Sequence, residues 1–96
     1  MSSLERQAWE QIRDGALLVD VRTPQEFTQG YLEGALNIPH DQIKSRIDEL
    51  GSDKERAIVL YCRTGRRADI VKAQLESIGF KNIVNARSYT KMMAAK

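Results

Sequence analysis

Two short runs in this chain, Ala16 to Val21 and Ala57 to Tyr61, are apolar almost without interruption. A strand with one wet face alternates apolar and polar residues, so runs of this kind belong to strands covered on both sides. Around them the apolar spacing switches to that of helices. Leu4, Ala8, Trp9 and Ile12 form one helical stripe up to Arg13, with Gly15 placed to end it. Thr23-Pro24-Gln25-Glu26 combines an N-cap, a proline at the first helical position and a capping-box acid. A short helix to about Gln29 follows, stopped by Gly30.

The pattern continues to the end of the chain. Ala35 to Ile38 reads as a second short strand closed by Pro39, and Ile43, Ile47 and Leu50 mark one face of a helix stopping at Gly51. A helix from about Arg67 to Ile78 turns Val71, Leu75 and Ile78 inward, and Gly79-Phe80 ends it in a Schellman-like cap. Asn82 to Asn85 is a last short strand, and Ser88 to Lys96 a short helix or a loose tail. Strands alternating with helices pair in parallel. The expected fold is a small doubly wound α/β domain, with a mostly parallel central sheet of about four or five strands flanked by helices on both faces. Ligands in such sheets bind outside the carboxyl ends of the strands, where Asp20-Val21-Arg22 and Cys62 to Arg67 both fall.

Ninety-six residues make a single domain. We expect it to span 1–96, with its core from about 4 to 85 and residues 86–96 as a C-terminal segment or tail. A net charge of +2 and the lack of a basic stripe with interleaved aromatics argue against nucleic acid as a partner. The positive charge is instead local, at Arg63, Arg66 and Arg67, which suits a small anion. One cysteine excludes an internal disulfide, a Cys-based zinc site and a C-x-x-C pair, and nothing calls for a metal or cofactor. No stretch is long or apolar enough to span a membrane. The chain as written suits the cytoplasm, or the periplasm if a leader has been removed.

That one cysteine, Cys62, ends the strand and is followed by Arg63-Thr64-Gly65-Arg66-Arg67. The thiolate is the reactive form of cysteine, and cations and a helix N-terminus both favour it. A loop curling into a helix N-terminus aims successive N–H groups inward as an anion nest, and Gly65 permits the backbone angles of such a curl. The arginines supply planar forks for a divalent oxyanion. At the end of the first strand, Asp20 and Arg22 read as a structural ion pair or cap. His40 reads as a surface-loop residue, and Trp9, Met92 and Met93 as packing or tail residues.

Three segments resemble a single-domain rhodanese, a bacterial thiosulfate sulfurtransferase of the phage-shock-protein-E-like type. They are Leu18-Val19-Asp20-Val21-Arg22-Thr23-Pro24-Gln25-Glu26-Phe27, Gly34-Ala35-Leu36-Asn37-Ile38-Pro39 and Ile58 to Arg67. A weaker match continues through Gly79-Phe80 to Asn82-Ile83-Val84-Asn85. The resemblance implies that Cys62 takes sulfane sulfur from a donor such as thiosulfate and passes its persulfide to cyanide or a thiol. It places Arg63, Thr64, Gly65, Arg66 and Arg67 on the loop that cradles the nucleophile, and Asp20 and Arg22 on a pair supporting that loop. We expect a monomer or a weak dimer.

Two places depart from the family pattern. Tyr31 stands where many relatives carry histidine, and Ala86-Arg87-Ser88 where a Gly-Gly pair is common near the active-site rim. Arg87 either adds to anion binding or reshapes the pocket. Two other functions compete. A cysteine phosphatase needs Cys-x5-Arg, but the sixth residue after Cys62 is Ala68, with Arg67 one place early. A non-catalytic module that stores sulfur or binds a partner would share the same loop.

Overall fold

The computed structural model describes residues 3–96, so Met1 and Ser2 of the expected 1–96 domain lie outside the described residues. Its sheet has four strands, all parallel, in the order β2-β1-β3-β4. These are β1 (Leu17–Asp20), β2 (Leu36–Asn37), β3 (Ile58–Cys62) and β4 (Ile83–Ser88), joined with helices α1 (Leu4–Arg13), α2 (Pro24–Thr28), α3 (Arg66–Ile78) and α4 (Tyr89–Ala94). The chain leaves β1 towards β2 at one edge and leaves β3 towards β4 at the other. The carboxyl ends of β1 and β3 therefore flank the switch point where a crevice opens. Asp20 pairs with Tyr61, so Val21 comes beside Cys62 and Arg22 follows at the same edge of the sheet.

Side chains alternate between two core layers. On one face Val19, Leu60 and Cys62 pack with Ala68, Val71 and Leu75 of α3 and with Phe80. On the other, Leu18, Val59 and Tyr61 pack with Ala8 and Trp9 of α1 and Met92 of α4. Every residue of β3 is buried, as its uninterrupted apolar run requires. The Schellman cap forms as expected, with Phe80 N–H donating to Leu75 O and Gly79 N–H to Glu76 O at 3.1 Å each.

Two elements differ from the sequence expectation. The segment carrying Ile43, Ile47 and Leu50 is a series of turns ending in a 3₁₀ turn, Ile47–Leu50, rather than an α-helix. Arg46 provides no side-chain cap there, and the Ser45 hydroxyl donates to Gln42 O, competing with the helical ladder. Ile43 and Leu50 still reach the core. The last strand runs on to Ser88, carried past Asn85 by a bulge between the Leu60/Asn85 and Cys62/Ser88 pairs. Residues 89–94 are helical, capped by the Ser88 side chain, and both Ala86 and Met92 are fully buried. Packed core thus extends beyond residue 85. Trp9 anchors the helix by donating from Nε1 to Met92 O at 2.8 Å.

Candidate active site

Cys62 is the last residue of β3 and only 1% exposed, its side chain turned to the α3 face. Its Sγ accepts a hydrogen bond from the Gly65 N–H at 2.9 Å. Helix α3 begins at the next residue, and the first N–H groups of an α-helix have no intrahelical acceptors. Sγ therefore sits at the positive end of a helix of 13 residues. Gly65 makes this closure possible with φ +107°, where an added Cβ would also meet Arg87 Cβ and Cγ at 2.9 Å. Thr64 is exposed at the crest of the loop.

The loop is clamped from β4. Asn85 Nδ2 donates to Gly65 O at 3.0 Å and to Asp69 Oδ1 at 2.8 Å, while Asn85 Oδ1 accepts from the Arg87 N–H at 2.8 Å. One amide thus ties the loop after Cys62, the first turn of α3 and the bulge together. Nothing in the sequence marks Asn85 beyond its place at a strand end, because all its partners except Arg87 are distant along the chain.

Asp20 and Arg22 form the buried pair expected of them. Arg22 Nε donates to both Asp20 oxygens, at 3.1 and 3.0 Å, and Nη2 donates to Asp20 Oδ2 at 2.7 Å and to Gly30 O at 2.6 Å. The guanidinium also lies over the rings of Tyr61 and Tyr89, 5.5 and 4.4 Å from their centroids. Burial holds the Tyr61 phenol well above its ordinary pKa, and its oxygen accepts from Leu32 N–H at 3.1 Å. The pair locks the end of β1 onto the loop entering from Gly30.

The loop arginines divide into two kinds. Arg67 is ion-paired: its Nη1 and Nη2 donate to the two Glu26 oxygens at 2.6 and 3.0 Å. Glu26 belongs to the α2 capping box, accepting from Thr23 N–H at 3.1 Å, so Arg67 braces α2 against α3. Arg63 and Arg66 are exposed, and neither is ion-paired among the described residues. Arg63 lines a cavity of about 360 Å³ together with Arg22, Glu26, Gln29, Gly30, Tyr89 and Thr90. Tyr31 is 51% exposed and stacks on Phe27 at 4.3 Å, outside that lining. His40 also lies outside it, donating its N–H to Val21 O at 3.0 Å. Among the described residues, no group of three or more His, Cys, Asp or Glu side chains could hold a metal, and no helix could cross a membrane.

The brace has a pH dependence. Hydrogen bonds from Arg67 hold the Glu26 carboxyl at about 2, below its ordinary 4.5. A lowered folded-state pKa stabilises above the unfolded value and is lost as pH falls through the folded one. Glu26→Gln keeps the capping-box geometry but removes the charge. Thermal melts of wild type and this variant are expected to differ by several degrees at about pH 6, the effect of roughly 1 kcal/mol in a domain this small. The two curves should converge as pH drops from 4.5 towards 2; a gap independent of pH would show that the ion pair contributes nothing.

Comparison with known sequences gives a match to the rhodanese-like domain over residues 4–91. The chain belongs to the rhodanese-like domain family. It is 35% identical over 68 residues to thiosulfate sulfurtransferase PspE of Escherichia coli (strain K12), an alignment covering 71% of this chain and 65% of the relative. It thus spans somewhat less than two thirds of that protein. A tRNA uridine(34) hydroxylase of Hamiltonella defensa is 39% identical over 79 residues, covering 77% of this chain but 22% of the hydroxylase. The rhodanese domain therefore also serves inside longer proteins. Among solved structures, a rhodanese with anions from E. coli superimposes with a TM-score of 0.74 at 32% identity, covering 79% of this chain and 89% of that one.

Proposed function

We propose that this rhodanese domain is a sulfurtransferase that moves sulfane sulfur from thiosulfate, or a donor like it, to cyanide or a thiol through a persulfide on Cys62. The observation that carries this reading is the Gly65 N–H donated to Cys62 Sγ at the start of α3, beside two uncommitted arginines. The Cys62 thiolate attacks the outer sulfur of thiosulfate. A new S–S bond forms, the S–S bond of thiosulfate breaks, and sulfite leaves with the electron pair. The persulfide anion keeps one negative charge at the same helix N-terminus, so the groups that favour the thiolate also favour the intermediate. Attack by cyanide on the terminal sulfur then returns the thiolate and releases thiocyanate. No general base is needed, since no proton moves. Nothing supports phosphatase chemistry at Ala68, which is fully buried in the core where that reaction requires an arginine.

Thiosulfate and cyanide incubated with the protein are expected to yield thiocyanate at many turnovers per Cys62. Absence of thiocyanate from well-folded protein would leave the non-catalytic sulfur carrier as the reading. Arg63 and Arg66 supply the charge facing a donor, while Arg67 is committed to Glu26. Arg63→Ala and Arg66→Ala should each raise the thiosulfate KM about fivefold to tenfold, the loss of one charge-assisted hydrogen bond. Steady-state kinetics check this, and an unchanged KM in both variants would remove the anion site from these residues.

A further inference from the structure

Arg87 alone among the described non-glycine residues has a positive φ, at +70°. That backbone crowds a Cβ against the following carbonyl, and glycine adopts it without the clash. The bulge imposes it: Ala86 and Arg87 of β4 stand where β3 has only Tyr61. The arginine nevertheless touches the reacting centre's support. Its Cβ and Cγ occupy the space that a side chain on Gly65 would need, so the stem lies against the residue whose N–H holds Cys62 Sγ. Arg87 itself is exposed, with no ion pair among the described residues. Arg63, by contrast, lines the cavity at the other end of the loop.

We propose that Arg87 is a specificity-determining residue: it carries a positive charge over Gly65, on strained backbone, and so makes the Cys62 site favour doubly negative sulfur donors over singly negative ones. This rests on the sulfurtransferase reading. The relevant comparison is thiosulfate, charge minus two, against methanethiosulfonate, charge minus one. In the second case the Cys62 thiolate takes the outer sulfur and methanesulfinate leaves with the electron pair, so both donors give the same persulfide. Only the charge and the substituent on the departing group differ.

The test measures KM and kcat for each donor with cyanide as acceptor, together with thermal melting, in wild type, Arg87→Gly, Arg87→Met and Arg87→Lys. Arg87→Gly is expected to raise the thiosulfate KM about tenfold and the methanethiosulfonate KM less than about twofold, with kcat nearly constant. Its melting temperature should rise by several degrees as the strain is relieved. Arg87→Met should show the same KM pattern without the gain in melting temperature, since stem and strain remain. Arg87→Lys should restore donor discrimination to within about threefold of wild type. Equal KM changes for both donors would show a positioning defect and overturn the proposal, as would an unchanged thiosulfate KM in Arg87→Met. A lower melting temperature in Arg87→Gly would overturn the strain assignment, and if that variant does not fold, Arg87→Met decides on KM. Failure of wild type to load sulfur from either donor would instead strike the sulfurtransferase reading itself.

Discussion

Cys62→Ser is expected to fold normally and to gain no sulfur when incubated with thiosulfate, whereas the wild-type chain gains the mass of one sulfur atom and loses it again to cyanide. Serine fits the space of the thiol and can accept the Gly65 N–H in its place, so the loop keeps its shape. A hydroxyl at neutral pH is not an effective nucleophile without a base, and the loop provides none. Turnover to thiocyanate should fall by roughly four orders of magnitude or more. Intact-mass spectrometry reads the first result and a thiocyanate assay the second. A sulfur adduct persisting in Cys62→Ser would place the chemistry elsewhere, although this chain has no other cysteine to receive it.

The second large effect concerns stability. Asp20→Asn leaves the Arg22 guanidinium buried, with its side chain only 7% exposed, beside a neutral amide. Removing one partner of a buried ion pair typically costs about 3–5 kcal/mol, because the other charge stays out of water. For a domain this small the melting temperature should drop on the order of 20 °C. The double variant Asp20→Ala/Arg22→Met should recover much of that loss, since it leaves no charge behind. A drop of only a few degrees in Asp20→Asn, or no recovery in the double variant, would mean that hydration reaches Arg22 and the pair is not what locks the β1 end. Gly30 is held by the same guanidinium, so the Asn variant should also disturb the cavity wall and lower transfer activity.

The parts of this molecule that were legible in its sequence are those written in short range. The capping box at Thr23 and Glu26, the Schellman end at Gly79 and Phe80, and the buried run of β3 each follow from neighbours along the chain. So does Cys62 at a strand end with a glycine three residues on. What escaped has a physical reason in each case. The pairing of Arg67 with Glu26 left no trace because the two lie far apart in sequence and the capping box already accounts for Glu26. Asn85 and the stem of Arg87, a residue the sequence did single out, meet Gly65 from a distant strand, and a bulge leaves no periodic signature. The stripe of Ile43, Ile47 and Leu50 does face inward, yet tight turns satisfy it as well as a helix does. Met92 showed no sign of where its helix would dock, because the Trp9 that receives it belongs to the opposite end of the chain.

The clamp that β4 places on the loop bears on how the chain becomes competent during synthesis. Asp20, Cys62 and its arginines are all made before Asn85 and Arg87, and parallel pairing joins partners as distant as Leu17 and Ile58. A nascent chain that has just extruded Cys62 thus holds the thiol and the cations but not the strand that fixes Gly65 against the sulfur. Sheet contacts closing such long loops form late. The hydrogen bond from Gly65 to the Cys62 sulfur is consequently among the last contacts to be secured as the chain folds.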